Sequence, residues 1–333
     1  MKQGSQVRKI SRAAAIIFAC LAIGAVASAQ IPAATLTQAN TYLQNGQADQ
    51  ALALLAPLPT TGAGADEAQN LLCRVRFELQ QWSQAVAECQ RAVSLNNKNS
   101  DYFMWLGRAL GQQASHASFL SAYGDAKKSL AAMQTAVQLN PQNGPALSDL
   151  GDYYAQAPSI AGGGTSKAQQ IATQLDKVDA GRAAQLRGDI AMAAKDYTTA
   201  ETQYKLAATM SPHPADNWTV LANFYLGRQR WSDLDTAINN CVSAAARDKH
   251  PGIGLYDGAG VLIAAKRNPQ LAATMLEDYL AGSSKSEEAP AFIAHARLGH
   301  LKQQLGDAAG AQQEFAAATA LAREYNPAQA SKN

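Results

Sequence analysis

From Lys195 to Leu226, large and small apolar residues fall at helical intervals and do not alternate. Ala200, Tyr204 and Ala207 share one such stripe, and Trp218, Leu221, Ala222 and Tyr225 share another. Residues three and four apart lie on one face of a helix, so the stretch predicts two amphipathic helices. Ser211-Pro212 separates them, because a residue preceding proline is pushed out of helical geometry. The pattern recurs near Pro32, Asp66 and Ser100, which are 34 residues apart, and again near Gly144, Gly181, Ala215, Ile253 and Phe292. Eight units follow, at 32–65, 66–99, 100–143, 144–180, 181–214, 215–252, 253–291 and 292–327. Small residues such as Ala85, Gly107, Gly151, Gly188 and Ala200 are expected where paired helices approach. Leu72, Leu106, Tyr197, Trp231 and Phe315 are expected to fill the space between pairs. Few stretches alternate in the period of a strand, and Ala, Gln and Leu abound, so an all-α chain is expected.

These motifs resemble the tetratricopeptide repeat (TPR). Trp218-x2-Leu221-Ala222-x2-Tyr225 matches its first helix with alanine in the glycine slot, and Ala200-x3-Tyr204…Pro212 matches its second. Leu106-Gly107, Leu150-Gly151 and Leu298-Gly299 repeat the motif, whereas Leu234 departs from it at a small-residue position. The resemblance covers nearly all of residues 30–333 and implies a right-handed superhelical solenoid of about eight helix pairs. One pair cannot bury its apolar face alone, so stacking must supply the core.

Composition changes the picture at the N-terminus. Lys2, Arg8, Lys9 and Arg12 precede the apolar run Ala13–Ala27, and Ala27-Ser28-Ala29 forms an A-x-A site. This order reads as a signal peptide over residues 1–29, cleaved near Ala29-Gln30, with export to a periplasm or the exterior. The run is short for a span of about 20 apolar residues, and Phe18 is bulky for a lipoprotein site at Cys20. The whole chain carries a net charge of +2, and removing four leader cations makes the mature chain −2. With no polybasic run, nucleic acid and anionic membranes are not expected as partners.

In the tetratricopeptide family the first helix of each pair lines a concave groove that takes a protein or an extended peptide. That resemblance assigns Asn70, Arg74, Phe77, Met104, Arg108, Ser148, Asp152, Gln185, Asp189 and Asn223 to the groove. Its N-terminal end would be basic, suiting a partner's carboxylate near the two arginines, and its middle acidic. Otherwise these charges only keep an exposed face soluble, each contributing within about 0.5 kcal/mol to folding. The lysine-asparagine clamp of chaperone-binding members is not reproduced in full.

Two units exceed the repeat length. About ten extra residues lie within Gly111–Ser129 and about five within Ala157–Ser166, both expected as turns at one edge of the solenoid. The second, APSIAGGGTSKA, follows Tyr153-Tyr154 and resembles an AP-x3-GGG-x2-KA insert of secreted bacterial repeat proteins. Its order is not that of a phosphate loop, and no strand precedes it. Insertions on one face often mark a binding face.

Cys73 and Cys89 fall on facing helices of one pair, where either a disulfide or two buried thiols fit, and Cys241 stands apart. No Cys/His cluster, H-E-x-x-H or G-x-S-x-G is present, so no metal, cofactor or catalytic residue is implied. Adjacent acids such as Glu287-Glu288 read as solvated charge. The expected function is that of an exported, non-enzymatic scaffold. The alternatives are an assembly factor for an envelope complex, or an enzyme with a site near the two insertions.

Overall fold

The computed structural model describes residues 30–325 except 250, 251 and 284, so the leader segment lies outside the described residues. Sixteen α-helices are described, arranged as eight antiparallel pairs. The first four pairs are α1 (Ala33–Gln44) with α2 (Ala48–Leu55), α3 (Ala65–Glu78) with α4 (Trp82–Leu95), α5 (Ser100–Ser115) with α6 (Phe119–Leu139), and α7 (Gly144–Gln156) with α8 (Thr165–Leu175). The other four are α9 (Ala180–Ala193) with α10 (Tyr197–Met210), α11 (Pro214–Gly227) with α12 (Trp231–Ala245), α13 (Gly254–Ala265) with α14 (Pro269–Ala281), and α15 (Ala291–Gln304) with α16 (Ala308–Leu321). Each pair packs on the next, giving the all-α solenoid that the repeat pattern implies.

Local chemistry sets the helix starts. The side chains of Asn99, Asn143, Asp179, Asp196, Asn268 and Asp307 accept hydrogen bonds from first-turn amides that would otherwise lack partners. Within a pair, small residues allow close approach. A Cβ on Gly188 would sit 2.4 Å from the Tyr204 ring, so glycine there admits the aromatic side chain. Trp231 departs from expectation. It sits at the first turn of α12, 40% exposed, with the Arg267 guanidinium 5.7 Å from its ring centre.

The solenoid does not end in two free faces. Helix α16 touches α2, and one hydrophobic cluster joins Leu36, Leu43 and Leu71 of the first pairs to Phe292, Leu298 and Tyr325 of the last. At the seam Gly46 lies against Ala291, with the position of a Gly46 Cβ only 2.5 Å from the Ala291 nitrogen. Asp49 accepts two hydrogen bonds from Arg323, and Glu324 accepts from Arg76 and Gln81. The eight pairs therefore close into a ring.

Of the two longer units, only the third differs from the expected turn. In the third, the extra residues lengthen both helices, so α5 runs 16 residues and α6 runs 21, with only His116–Ser118 between them. In the fourth, a 3-10 turn at Ser159–Ala161 leads into the glycine run.

Cys73 and Cys89 are joined as a disulfide across α3 and α4, with Cα atoms 5.1 Å apart, and Cys241 is a buried free thiol. The bridge spans 16 residues, a loop for which cross-linking contributes about 3 kcal/mol. Among Cys73, Cys89 and Cys241, alkylation of the denatured, unreduced protein is expected to label Cys241 alone, read by peptide mass. Labelling of all three would contradict the bridge.

Candidate partner-binding site

The centre of the ring is built on Trp105. The guanidinium groups of Arg74 and Arg108 lie 5.5 and 4.9 Å from its ring centre, each at cation–π distance. The 34-residue spacing of the two arginines puts them on equivalent turns of neighbouring pairs. Their partners come from far along the chain. A tight turn at Ser286–Ala289, closed by the Ala289 amide donating to the Ser286 carbonyl at 3.0 Å, projects into the ring. Tyr279 clamps it, accepting from the Ser286 amide at 3.1 Å and donating to the Ala289 carbonyl at 2.7 Å.

Glu287 at the tip takes both arms of Arg74, with Nε at 2.7 Å, and Asn40 accepts from the same guanidinium at 3.1 Å. Glu288 accepts from Arg108 at 2.9 Å, while Asp149 holds that arginine in a two-pronged bond at 2.6 and 3.2 Å. Burial works against the charged Arg108, but Asp149 and Glu288 outweigh it and raise its pKa. Two expectations are thereby corrected. Arg74 and Arg108 do not await a partner's carboxylate, because the chain supplies its own. Glu287 and Glu288 are not on a solvated helix; they sit on a turn, and Glu287 keeps only 11% of its side chain exposed.

The other groove residues separate by burial. Asn70 and Met104 are buried, Phe77, Ser148, Asp152, Gln185 and Asp189 are half-buried, and Asn223 is exposed. Phe77 meets Trp82 and Trp105 edge-on at 5.3 and 5.5 Å. Asp189 accepts from the Tyr204 hydroxyl at 2.7 Å. Asp149 was not among the expected groove residues. It lies one position beyond the frame used to pick them, yet it carries the tightest bond to Arg108.

Several acids surround this network without cations of their own. Burial and the neighbouring Asp189 and Asp149 push Asp152 up to about 7. Burial and Asp216 do the same to Asp257, also to about 7. Burial raises Asp189 and Asp216 to about 6. Glu78 is raised well above the usual range by burial and by Glu287, and neither of its carboxyl oxygens has a hydrogen-bond partner among the described residues.

The two insertions meet beside this centre. The Tyr153 hydroxyl lies 3.0 Å from the Ala126 carbonyl and 2.9 Å from that of Ala161, so one proton can serve either insertion. The Tyr123 hydroxyl reaches the Ile160 carbonyl at 3.4 Å. Amides in the glycine run are used internally: Gly162 donates to Ser159, Gly163 to Pro158 and Gly164 to Tyr154, leaving no nest to hold an anion. A side chain at Gly163 would strike the Ala157 carbonyl, so glycine there is what lets the turn fold flat.

Between the insertions opens a cavity of about 870 Å³. Its walls are Tyr123, Ala126, Met133, Tyr153, Pro158 and Ile160, and Arg108, Asp149, Asp152 and Glu288 also line it. Ile160 stands 77% exposed and Tyr123 41% exposed. Length alone revealed the insertions in the sequence; the cavity required their folded positions.

No protein-family model and no curated protein matches the chain. Among solved structures it is similar to a thermophilic TPR protein of Thermus thermophilus, at 19% identity and TM-score 0.48, covering 58% of this chain and 98% of that one. It is similar also to PilF of Pseudomonas aeruginosa, at 16% identity and TM-score 0.45, covering 65% of this chain and 92% of that one. A third is a tetratricopeptide repeat protein of Parabacteroides merdae, at 15% identity and TM-score 0.42, covering 90% and 96%. Among the described residues no helix is long and apolar enough to cross a membrane.

Two measurements follow from the ring's charges. Arg74→Ala strands Glu287 in a buried place, so it is expected to cost about 3 kcal/mol in urea unfolding. A cost near 0.5 kcal/mol or less would mean that the pair behaves as exposed charge. The second concerns pH. A raised carboxyl binds its proton more tightly in the folded state than in the unfolded one. Stability therefore falls as pH rises from about 4, the unfolded carboxylate value, through the folded values near 6 and 7. Asp152→Asn and Asp257→Asn should each raise the melting temperature at pH 8 by about 2 °C or more. At pH 4 or below both should change it little.

Proposed function

We propose that the protein is an exported scaffold that binds a protein or extended peptide, and that the partner engages the rim where the two insertions meet. The observation that supports this reading is the cavity between them, with Ile160 and Tyr123 exposed at its edge. A cavity of this size with apolar walls and a few polar groups has the form of a binding site. The arginines that the repeat pattern offered to a partner are neutralised by the chain's own glutamates. Recognition is thereby moved from the centre of the ring to the insertions. Export rests on the basic, apolar and A-x-A order of residues 1–29.

A photo-crosslinking residue at position 160, introduced in native cells, is expected to give a discrete adduct whose intact mass places the mature N-terminus at or near Gln30. The same residue at exposed Thr173 on α8 should give none. Ala126→Trp, which fills the cavity, should abolish the adduct with the melting temperature retained. Equal adducts from positions 160 and 173, or an adduct that survives the filled cavity, would move the partner elsewhere. An uncleaved chain would remove export.

A further inference from the structure

The cavity between the insertions is unevenly furnished. Its walls are apolar and aromatic, yet it is also lined by three carboxylates, Asp149, Asp152 and Glu288, against one guanidinium, Arg108. Arg108 is already shared by Asp149 and Glu288. The cation acting most strongly on Asp152 is Arg182, which pairs with Asp179 and reaches Ser148 at 3.4 Å. Among the described residues none donates a hydrogen bond to Asp152. A half-buried carboxylate left in this state costs stability, and a cationic group entering from outside would offset that cost.

We propose that this cavity receives a basic side chain, lysine or arginine, of an extended partner segment. Its apolar stem would lie along Tyr123, Ala126 and Tyr153, and its charged head would meet Asp152. This rests on the proposed docking at the insertions and names what docks there. Charge complementarity excludes an anionic group, and the unpaired acid makes a wholly apolar occupant a poor fit. A long carbon chain with a charged tip matches apolar walls above an acidic lining, because such side chains bury the stem and keep the head paired. The exposed carboxamides of Gln112 and Gln156 also line the cavity. Each can both donate and accept, as an extended peptide backbone requires and a free amine does not.

The test uses three acetylated and amidated pentapeptides with alanine at four positions and lysine, arginine or norleucine at the centre. Chemical-shift titration of the whole folded protein reads both affinity and place. Both basic peptides are expected to bind with shifts at amides 111–115, 122–126, 156, 157 and 159–161, at least about tenfold more tightly than norleucine. Asp152→Asn should bring them to the norleucine level, while Asp235→Asn, remote from the cavity, should leave the difference intact. Norleucine binding as well as either basic peptide would overturn the basic side chain and leave docking at the insertions standing. Shifts confined to other parts of the ring would overturn both. Diaminobutane binding as tightly as the peptides, at the same amides, would replace the partner segment with a small free amine and overturn the proposal.

Discussion

A stack of helix pairs has a cost at its two ends, where the outermost pairs lack a neighbour to cover their apolar sides. Linear solenoids answer this with polar capping repeats. Here the two ends cover each other. The core that begins at Leu36 and Leu43 runs on into Phe292 and Tyr325 without a break, so the chain needs no dedicated cap. Closure also fixes how far the inner surface can open, and it holds groups such as Glu78, Arg74 and Glu287 largely away from solvent. Most of the unusual electrostatics follow from that geometry.

Inside the ring, a few acids are matched and several are not. The Glu287 and Glu288 turn brings anions to the arginines beside Trp105, and Tyr279 holds that turn by bonding both of its ends. Glu78, Asp152, Asp216 and Asp257 have no comparable cation, and burial raises their pKa values, to about 6 for Asp216, about 7 for Asp152 and Asp257, and well above the usual range for Glu78. A chain selected for stability alone would have little reason to hold these groups. The presence of Asp152 in the cavity between the insertions is understandable where a visiting charge completes the balance.

The sequence and the structure agree where contacts are local. Helix pairing, the small residues at close approaches and the register of Arg74 with Arg108 all depend on neighbours within about one repeat, and a 34-residue period displays them. Closure has no such signature. Arg74 and Glu287 are 213 residues apart, and nothing in a nearest-neighbour pattern says that a stack will bend far enough to bring them together. Asp149 escaped for a different reason: the frame that located groove residues steps past it by one position. The third-repeat insertion could be counted but not placed, because added residues with helical propensity extend helices as readily as they form a turn.

Ring closure also gives the chain an order of events. In a linear repeat protein each pair can settle on the one before it as the chain emerges. Here the first pair's outer side, and the Arg74 guanidinium, must wait for residues made after almost everything else. Until Ala291 reaches Gly46 and Glu287 reaches Arg74, the early repeats carry an unsatisfied apolar seam and an unpaired inner cation. A chain that stops before α15 therefore differs from a shorter version of the same protein: it is an open form with its adhesive faces uncovered, and it would be recognised by whatever binds incomplete chains.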